Sequence, residues 1–235
     1  MFFTYWENET TEEPPSAEAW RAHYPGFIVF SDKDVLPLLG TVERRELYEQ
    51  IVLPACKSDI ARLLLLREHG GLYVDAHAGP TDGARLAETM DALSKFEMIL
   101  FCRAYEKKTP EELHLMNGAI AARAGTVFLD MMIETAFEHL FQHIAAERST
   151  ADYVHYSLWG LAGTWIMLKN FFDMNVNPYA LRPEFAGRIL VRHIEDPPSA
   201  GFQVYLYYGY RGPGQHWSER QKTERLFGPH RPRIS

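Results

Sequence analysis

Apolar and polar positions alternate along the chain in short apolar runs separated by longer helical patterns. Phe2 to Trp6 and Phe27 to Phe30 read as strands, the second a buried one that follows a Pro25-Gly26 turn. Between them, Ser16 stands where an N-cap would open a short helix containing Trp20, and Ser31-Asp32-Lys33-Asp34 would cap another. Glu43 to Leu53 is a charged helical stretch. Pro54 then opens a helix running to His69, because a first turn tolerates a residue whose missing N–H would be unpaired there anyway. Gly70-Gly71 ends it with residues free to take positive φ. Leu72-Tyr73-Val74 is a short buried strand, Phe96 to Cys102 a central one, and Met116 to Arg123 another. Helices are expected from about Thr126 to Ala145 and from Asp152 to Phe172, and strands over Arg188 to Arg192 and Phe202 to Tyr208. Strands and helices in this rhythm predict an α/β fold with a central mixed β-sheet flanked by helices. One domain over 1–227 and a frayed tail at 228–235 are expected.

The helix from Pro54 carries an anomaly. At ~100° per residue, Cys56, Ile60, Leu63, Leu64 and Leu66 define an apolar arc, and Asp59 projects into its middle. Arg62 lies one turn on, near the arc's edge. A buried carboxylate is costly unless it is paired or hydrogen-bonded. Asp59 therefore has a partner: either Arg62 with nearby backbone, or a polar ligand. Asp75 and His77 emerge at the carboxyl end of the 72–74 strand, where open α/β sheets place a ligand crevice. The loop expected over Ala78 to Gly83 would let both face a ligand. A carboxylate and an imidazole two residues apart can reach one divalent ion. Mg²⁺ and Mn²⁺ take hard oxygen ligands and Mn²⁺ also accepts imidazole, with His216 a candidate third ligand. A zinc site from His69, Asp75 and His77 is disfavoured, because a histidine at a helix end simply complements the dipole.

Composition narrows the class. The chain has 235 residues, 46% hydrophobic and 13% aromatic, enough to bury a sizeable core. A net charge of −7 argues against a general nucleic-acid binder without excluding an anionic nucleotide. Cys56 and Cys102 fall in expected core elements and give no disulfide framework. No run approaches the ~20 apolar residues of a membrane span, and Met1 to Glu7 lacks the features of a signal peptide. A cytoplasmic location is expected.

Ser58-Asp59-x-x-Arg62, a leucine-rich turn, Gly70-Gly71 and Tyr73-x-Asp75 together resemble the core of glycosyltransferase family 32. That family includes mannosyltransferases, capsular polysaccharide transferases and the catalytic domains of large clostridial toxins. The resemblance implies a GT-A (Rossmann-like) domain that moves a sugar from a UDP- or GDP-sugar to a glycan, lipid-linked or protein acceptor, with retention and a divalent metal (Mn²⁺ or Mg²⁺). Surface-polysaccharide or glycan synthesis in a bacterium would be the setting. It implies donor contacts from Asp59, Arg62, Tyr73 and Asn117, and from Tyr5 and Trp6 on the nucleotide base. Asp75 and Arg62 would carry the chemistry. His216-Trp217-Ser218 resembles the family's closing segment, so Trp217 and Ser218 join the donor side. Leu161-Ala162-Gly163-Thr164 loosely matches a Thr-Gly-Pro element.

The departure is at His77, where the family has a second aspartate. Asp-x-His also occurs in polypeptide N-acetylgalactosaminyltransferases, another GT-A group, so the metal reading survives. Two other classes stay open: a degenerate member that binds a nucleotide sugar or a partner without turnover, and a nucleotidyltransferase. The acidic run from Glu7 to Glu13, where a pyrophosphorylase would place a glycine-rich basic loop, disfavours the latter.

Overall fold

The computed structural model describes residues 1–7, 13–104, 113–173, 177–194, 199–204 and 216–228. The chain opens with β1 (Phe2–Tyr5), α1 (Ala17–His23) and β2 (Ile28–Phe30). Ser16 occupies the N-cap of α1, but its hydroxyl is buried and does not cap the helix. In α2 (Asp32–Val35), by contrast, Ser31 and Asp34 form the reciprocal capping box. α3 (Val42–Gln50) is capped by Thr41, and α4 (Pro54–His69) carries proline in its first turn. Gly70 and Gly71 take φ of 63° and 106° between α4 and β3 (Gly71–Val74). A Cβ at Gly71 would meet the Met1 carbonyl oxygen at 2.4 Å, so glycine serves both the turn and the packing of β1 on β3.

The expected loop after His77 is partly ordered: β4 (Gly79–Pro80) is followed by α5 (Gly83–Asp91), whose N-cap Asp82 accepts from two backbone amides. Next come β5 (Met98–Ala104), β6 (Leu113–Ala122) and α6 (Val127–Arg148). The single helix expected from Asp152 to Phe172 is not formed. Residues 153–157 are non-helical, α7 covers Leu158–Leu161, and α8 (Thr164–Phe171) restarts after Gly163. Tyr153 and Tyr156 instead donate to the carbonyls of Gln221 and Glu224, so tertiary bonding takes the segment that the apolar spacing marks as helix. β7 (Phe172–Asp173) and β8 (Asn177–Leu181) form a hairpin, and β9 (Ile189–His193) returns to the main sheet. β10 (Phe202–Gln203) is shorter than expected and pairs with β4; residues 205–208 lie outside the described ones. α9 (Trp217–Arg220) comes last. Gly228 is no frayed residue: its N–H donates to the Gln50 carbonyl, and Val52 N–H to that of Leu226. Residues 229–235 lie outside the described ones.

The main sheet has the order β2-β1-β3-β6-β5-β9, with β6 alone antiparallel to its neighbours. The mixed sheet flanked by helices is as the sequence predicts. β2, expected to be buried, is half-buried because it forms an edge. Period-2 alternation gives each face a core. Phe3, Tyr73, Leu100 and Ile120 pack with α4 and α6 on one side; Leu72, Val74, Phe101 and Ala121 pack with α1 and α5 on the other. α4 is buried nearly all round rather than on the narrow arc expected, which puts its polar residues inside the protein. Both cysteines are buried and in no disulfide. From β1 the chain leaves to β2 on one side and returns to β3 on the other. The carboxyl ends of β1 and β3 are therefore a topological switch point, the place where sheets of this kind take their ligands.

Candidate functional site

Helical spacing puts Ser58, Asp59 and Arg62 together on α4, and β3 delivers Tyr73 and Asp75 opposite them. Arg62 Nη2 lies 2.9 Å from Asp59 Oδ1 and 3.2 Å from Asp75 Oδ1. The Tyr73 hydroxyl donates to Asp75 Oδ1 at 2.8 Å and lies 2.9 Å from Ser58 Oγ, which accepts from Arg62 Nη2 at 3.1 Å. Arg62, Ser58, Tyr73 and Asp75 thus close a ring of polar contacts.

Asn117 reaches the cluster from β6. Its Nδ2 donates to Asp59 Oδ1 at 2.8 Å, and its carbonyl accepts from Arg62 Nη1. A bulge makes this possible. β5 pairs Leu100 with Ile120 and Phe101 with Met116, so Asn117, Gly118 and Ala119 are extra residues on β6. Asn117 therefore sits within a strand rather than at its entrance. Gly118 lies against Asp75: its carbonyl accepts from the Asp75 amide at 2.7 Å, and a Cβ there would stand 2.7 Å from Asp75 Oδ2.

The electrostatics are those of two carboxylates sharing one guanidinium. Burial lifts the Asp59 pKa from 3.8 to about 7, although Arg62 and Asn117 pull it down; Asp75 adds to the rise. Burial opposes the charge on Arg62, but Tyr73, Asp75 and Asp59 outweigh it and hold the pKa above its ordinary value. Burial raises the Tyr73 pKa well above its ordinary value, which keeps the proton it donates to Asp75.

A second cluster flanks the first, and the sequence reading missed it. Tyr5 and Tyr48 hydroxyls donate to Asp32 Oδ1 at 2.6 and 2.7 Å, and Lys57 Nζ to Oδ2 at 2.6 Å. Tyr5 is thereby committed to Asp32, with its ring buried. Trp6, also buried, is fixed by its amide on the Phe30 carbonyl, at the end of the strand beside β3. The signal for Asp32 lay in the capping box at 31–34, which sequence reads only as a helix start.

His77 is 7% exposed, in a turn closed by the Ala78 amide on the Asp75 carbonyl, so it is packed rather than displayed on a loop. His216 accepts from the Ser218 amide and lies 2.6 Å from Ser218 Oγ, capping α9. Among the described residues no group of three or more His, Cys, Asp or Glu could hold a metal ion. His69 stacks on Phe30 at the opposite end of β3 from Asp75, which separates the disfavoured zinc set. Trp217 lies 6.2 Å, centroid to centroid, from Trp159, and Gly163 connects that pair to the cluster. A Cβ at Gly163 would be 2.9 Å from Trp159 Cα and 3.4 Å from Asn117 Nδ2.

Residues 11–92 match the family described as the glycosyltransferase sugar-binding region containing DXD motif. That span holds Asp59, Arg62, Tyr73, Asp75 and His77. No curated protein matches the chain. Among solved structures, the chain is similar to the PaToxG glycosyltransferase at 13% identity and TM-score 0.43, covering 70% of this chain and 65% of that one. It is similar to the bifunctional IspDF from Campylobacter jejuni at 10% and 0.38, covering 88% and 51%. It is also similar to the UDP-bound glycosyltransferase domain from the YGT toxin at 12% and 0.31, covering 52% and 37%. The chain thus spans 65%, 51% and 37% of these three. The polar cluster around Asp75 falls in a stretch similar to the sugar-binding region of glycosyltransferases.

Proposed function

We propose that the protein transfers a sugar from a nucleoside diphosphate sugar to an acceptor hydroxyl. The observation that supports this most is the convergence of Asp59, Arg62, Tyr73, Asp75 and Asn117 on one hydrogen-bonded cluster at the switch point, four of them within the matched sugar-binding stretch. Arg62 is a buried, fixed cation whose fork is spent on Ser58, Asn117, Asp59 and Asp75, and its charge would favour the charge that develops on a departing diphosphate beside them. Asp59 and Asn117 hold that fork in place. Trp6 at the end of β1 lies on the nucleoside side of the crevice, while Tyr5 acts through Asp32. Trp217 and Ser218 close the donor side.

Asp75 and His77 fit a divalent cation shared with a diphosphate, not an all-protein cage. The missing side chain at Gly118 lets Asp75 Oδ2 pack against its backbone, and one carboxylate with one imidazole suits Mn²⁺. His216 would join only by giving up its cap on α9. Such an ion would neutralise charge on the leaving diphosphate. The histidine at 77 favours a second reading, in which the donor is bound without turnover.

A thermal-shift screen of UDP- and GDP-sugars with and without Mn²⁺ tests both. One nucleotide sugar should raise the melting temperature more with Mn²⁺ than without. No shift with any of them, for a protein whose Asp75→Asn variant melts alike, would end the proposal.

A further inference from the structure

We infer that Trp159 is the stacking platform for a pyranose of a carbohydrate acceptor, an inference that names the acceptor class for the transfer proposed above. Trp159 is 55% exposed, a costly placement for so large an apolar ring. The exposure is not that of a frayed end. α7 is anchored on both sides of this residue: Leu158 is buried with its amide on Gln221 Oε1, and the Gly160 carbonyl accepts from His139 Nδ1 at 2.9 Å. The turn therefore holds the Trp159 backbone in place, with the ring beside that of Trp217, which lowers the cost of ordering it on a ligand.

That place borders the cluster. Gly163 packs against both Trp159 Cα and Asn117 Nδ2, and Asn117 binds Asp59. The Trp217 ring, tilted by 52°, forms the other wall. An occupant lying on Trp159 and reaching Asn117 must offer an apolar face and hydrogen-bonding groups within one small body. A pyranose does so: its axial C–H bonds form an apolar face and its equatorial hydroxyls a polar rim. A peptide segment would instead need a wider apolar contact centred on the ring.

Saturation-transfer NMR with the methyl pyranosides of glucose, galactose, mannose and N-acetylglucosamine, α and β, tests this without any nucleotide. At least one should bind, with saturation strongest on its axial C–H protons. Trp159→Ala should weaken that binding about tenfold, the scale of one aromatic stack. Trp159→Phe should weaken it less, and Trp165→Ala, which removes a similarly exposed ring on α8, should leave it unchanged. Equal melting temperatures check that the variants fold. Absence of binding by all the glycosides, or binding indifferent to Trp159→Ala, overturns the inference and points to a protein or lipid acceptor. A glycoside held on Trp159 by a protein that cleaves no nucleotide sugar would leave this inference standing and remove the transferase reading.

Discussion

Asp59 is held where burial favours its proton, and this gives the unliganded protein a defined pH response. Its folded pKa of about 7 lies above the ordinary 3.8. The stability it contributes is therefore complete below pH 3.8 and lost as pH rises through about 7. Urea midpoints of the parent should fall between about pH 4 and 7 relative to those of Asp59→Asn and level off above, and a constant difference would contradict the assignment. The same residue bears on binding. Asp59→Asn keeps an acceptor for Asn117 but leaves Arg62 with Asp75 alone, so donor binding should suffer more than folding. If the variant unfolds and Arg62→Met rescues it, the pair is structural. Gly118 is the other sensitive position. Gly118→Ala places a methyl 2.7 Å from Asp75 Oδ2 and should cut kcat/KM about a hundredfold, as a ~1 Å misplacement does, while the melting temperature changes little. Activity within twofold of the parent would show that Asp75 tolerates the shift.

Local elements were legible in sequence where their causes are local. Pro54, Gly70-Gly71 and the apolar spacing between them mark α4 and β3, and with them Asp59, Arg62, Tyr73 and Asp75. What stayed hidden depends on partners distant in sequence. Asn117 reaches Asp59 only because β6 runs antiparallel beside β3 and bulges there; Gly118 inside a strand pattern hints at a bulge, but not at the partner that the bulge delivers Asn117 to. The non-helical stretch before α7 follows from tyrosines bonded to residues nearly 70 positions away. α6 shows the same dependence at its end. Glu147, 2% exposed, accepts from the amides of Leu226 and Phe227 and so fastens the closing segment. Glu147→Ala leaves those donors unpaired and should cost about 2–4 kcal/mol in urea denaturation. Faster amide exchange should be confined to 226–228 and the end of α6. Unchanged exchange there would mean that its apolar contacts and its backbone bonds to Gln50 and Val52 suffice to hold the segment.

At the scale of the whole molecule, the strand order makes the crevice. β1 and β3 part at the switch point, and the residues that sequence singles out after those strands, Trp6 and Asp75, end on adjacent strands. Two candidate ligands, Asp75 and His77, predict that Mn²⁺ binds weakly alone and tightly once a nucleoside diphosphate shares it. Titration calorimetry with and without UDP or GDP reads this directly, and equal affinity in both conditions would contradict a shared site. A transferase breaks the bond at the anomeric carbon of the donor. Incubating the protein with UDP- and GDP-sugars and Mn²⁺, and identifying the nucleotide product, decides whether this chain does so. The products should be a nucleoside diphosphate and free or transferred sugar, lost in Asp75→Asn, because the break is at the anomeric carbon. Release of a nucleoside monophosphate with a sugar phosphate, or no cleavage of any donor, would contradict this.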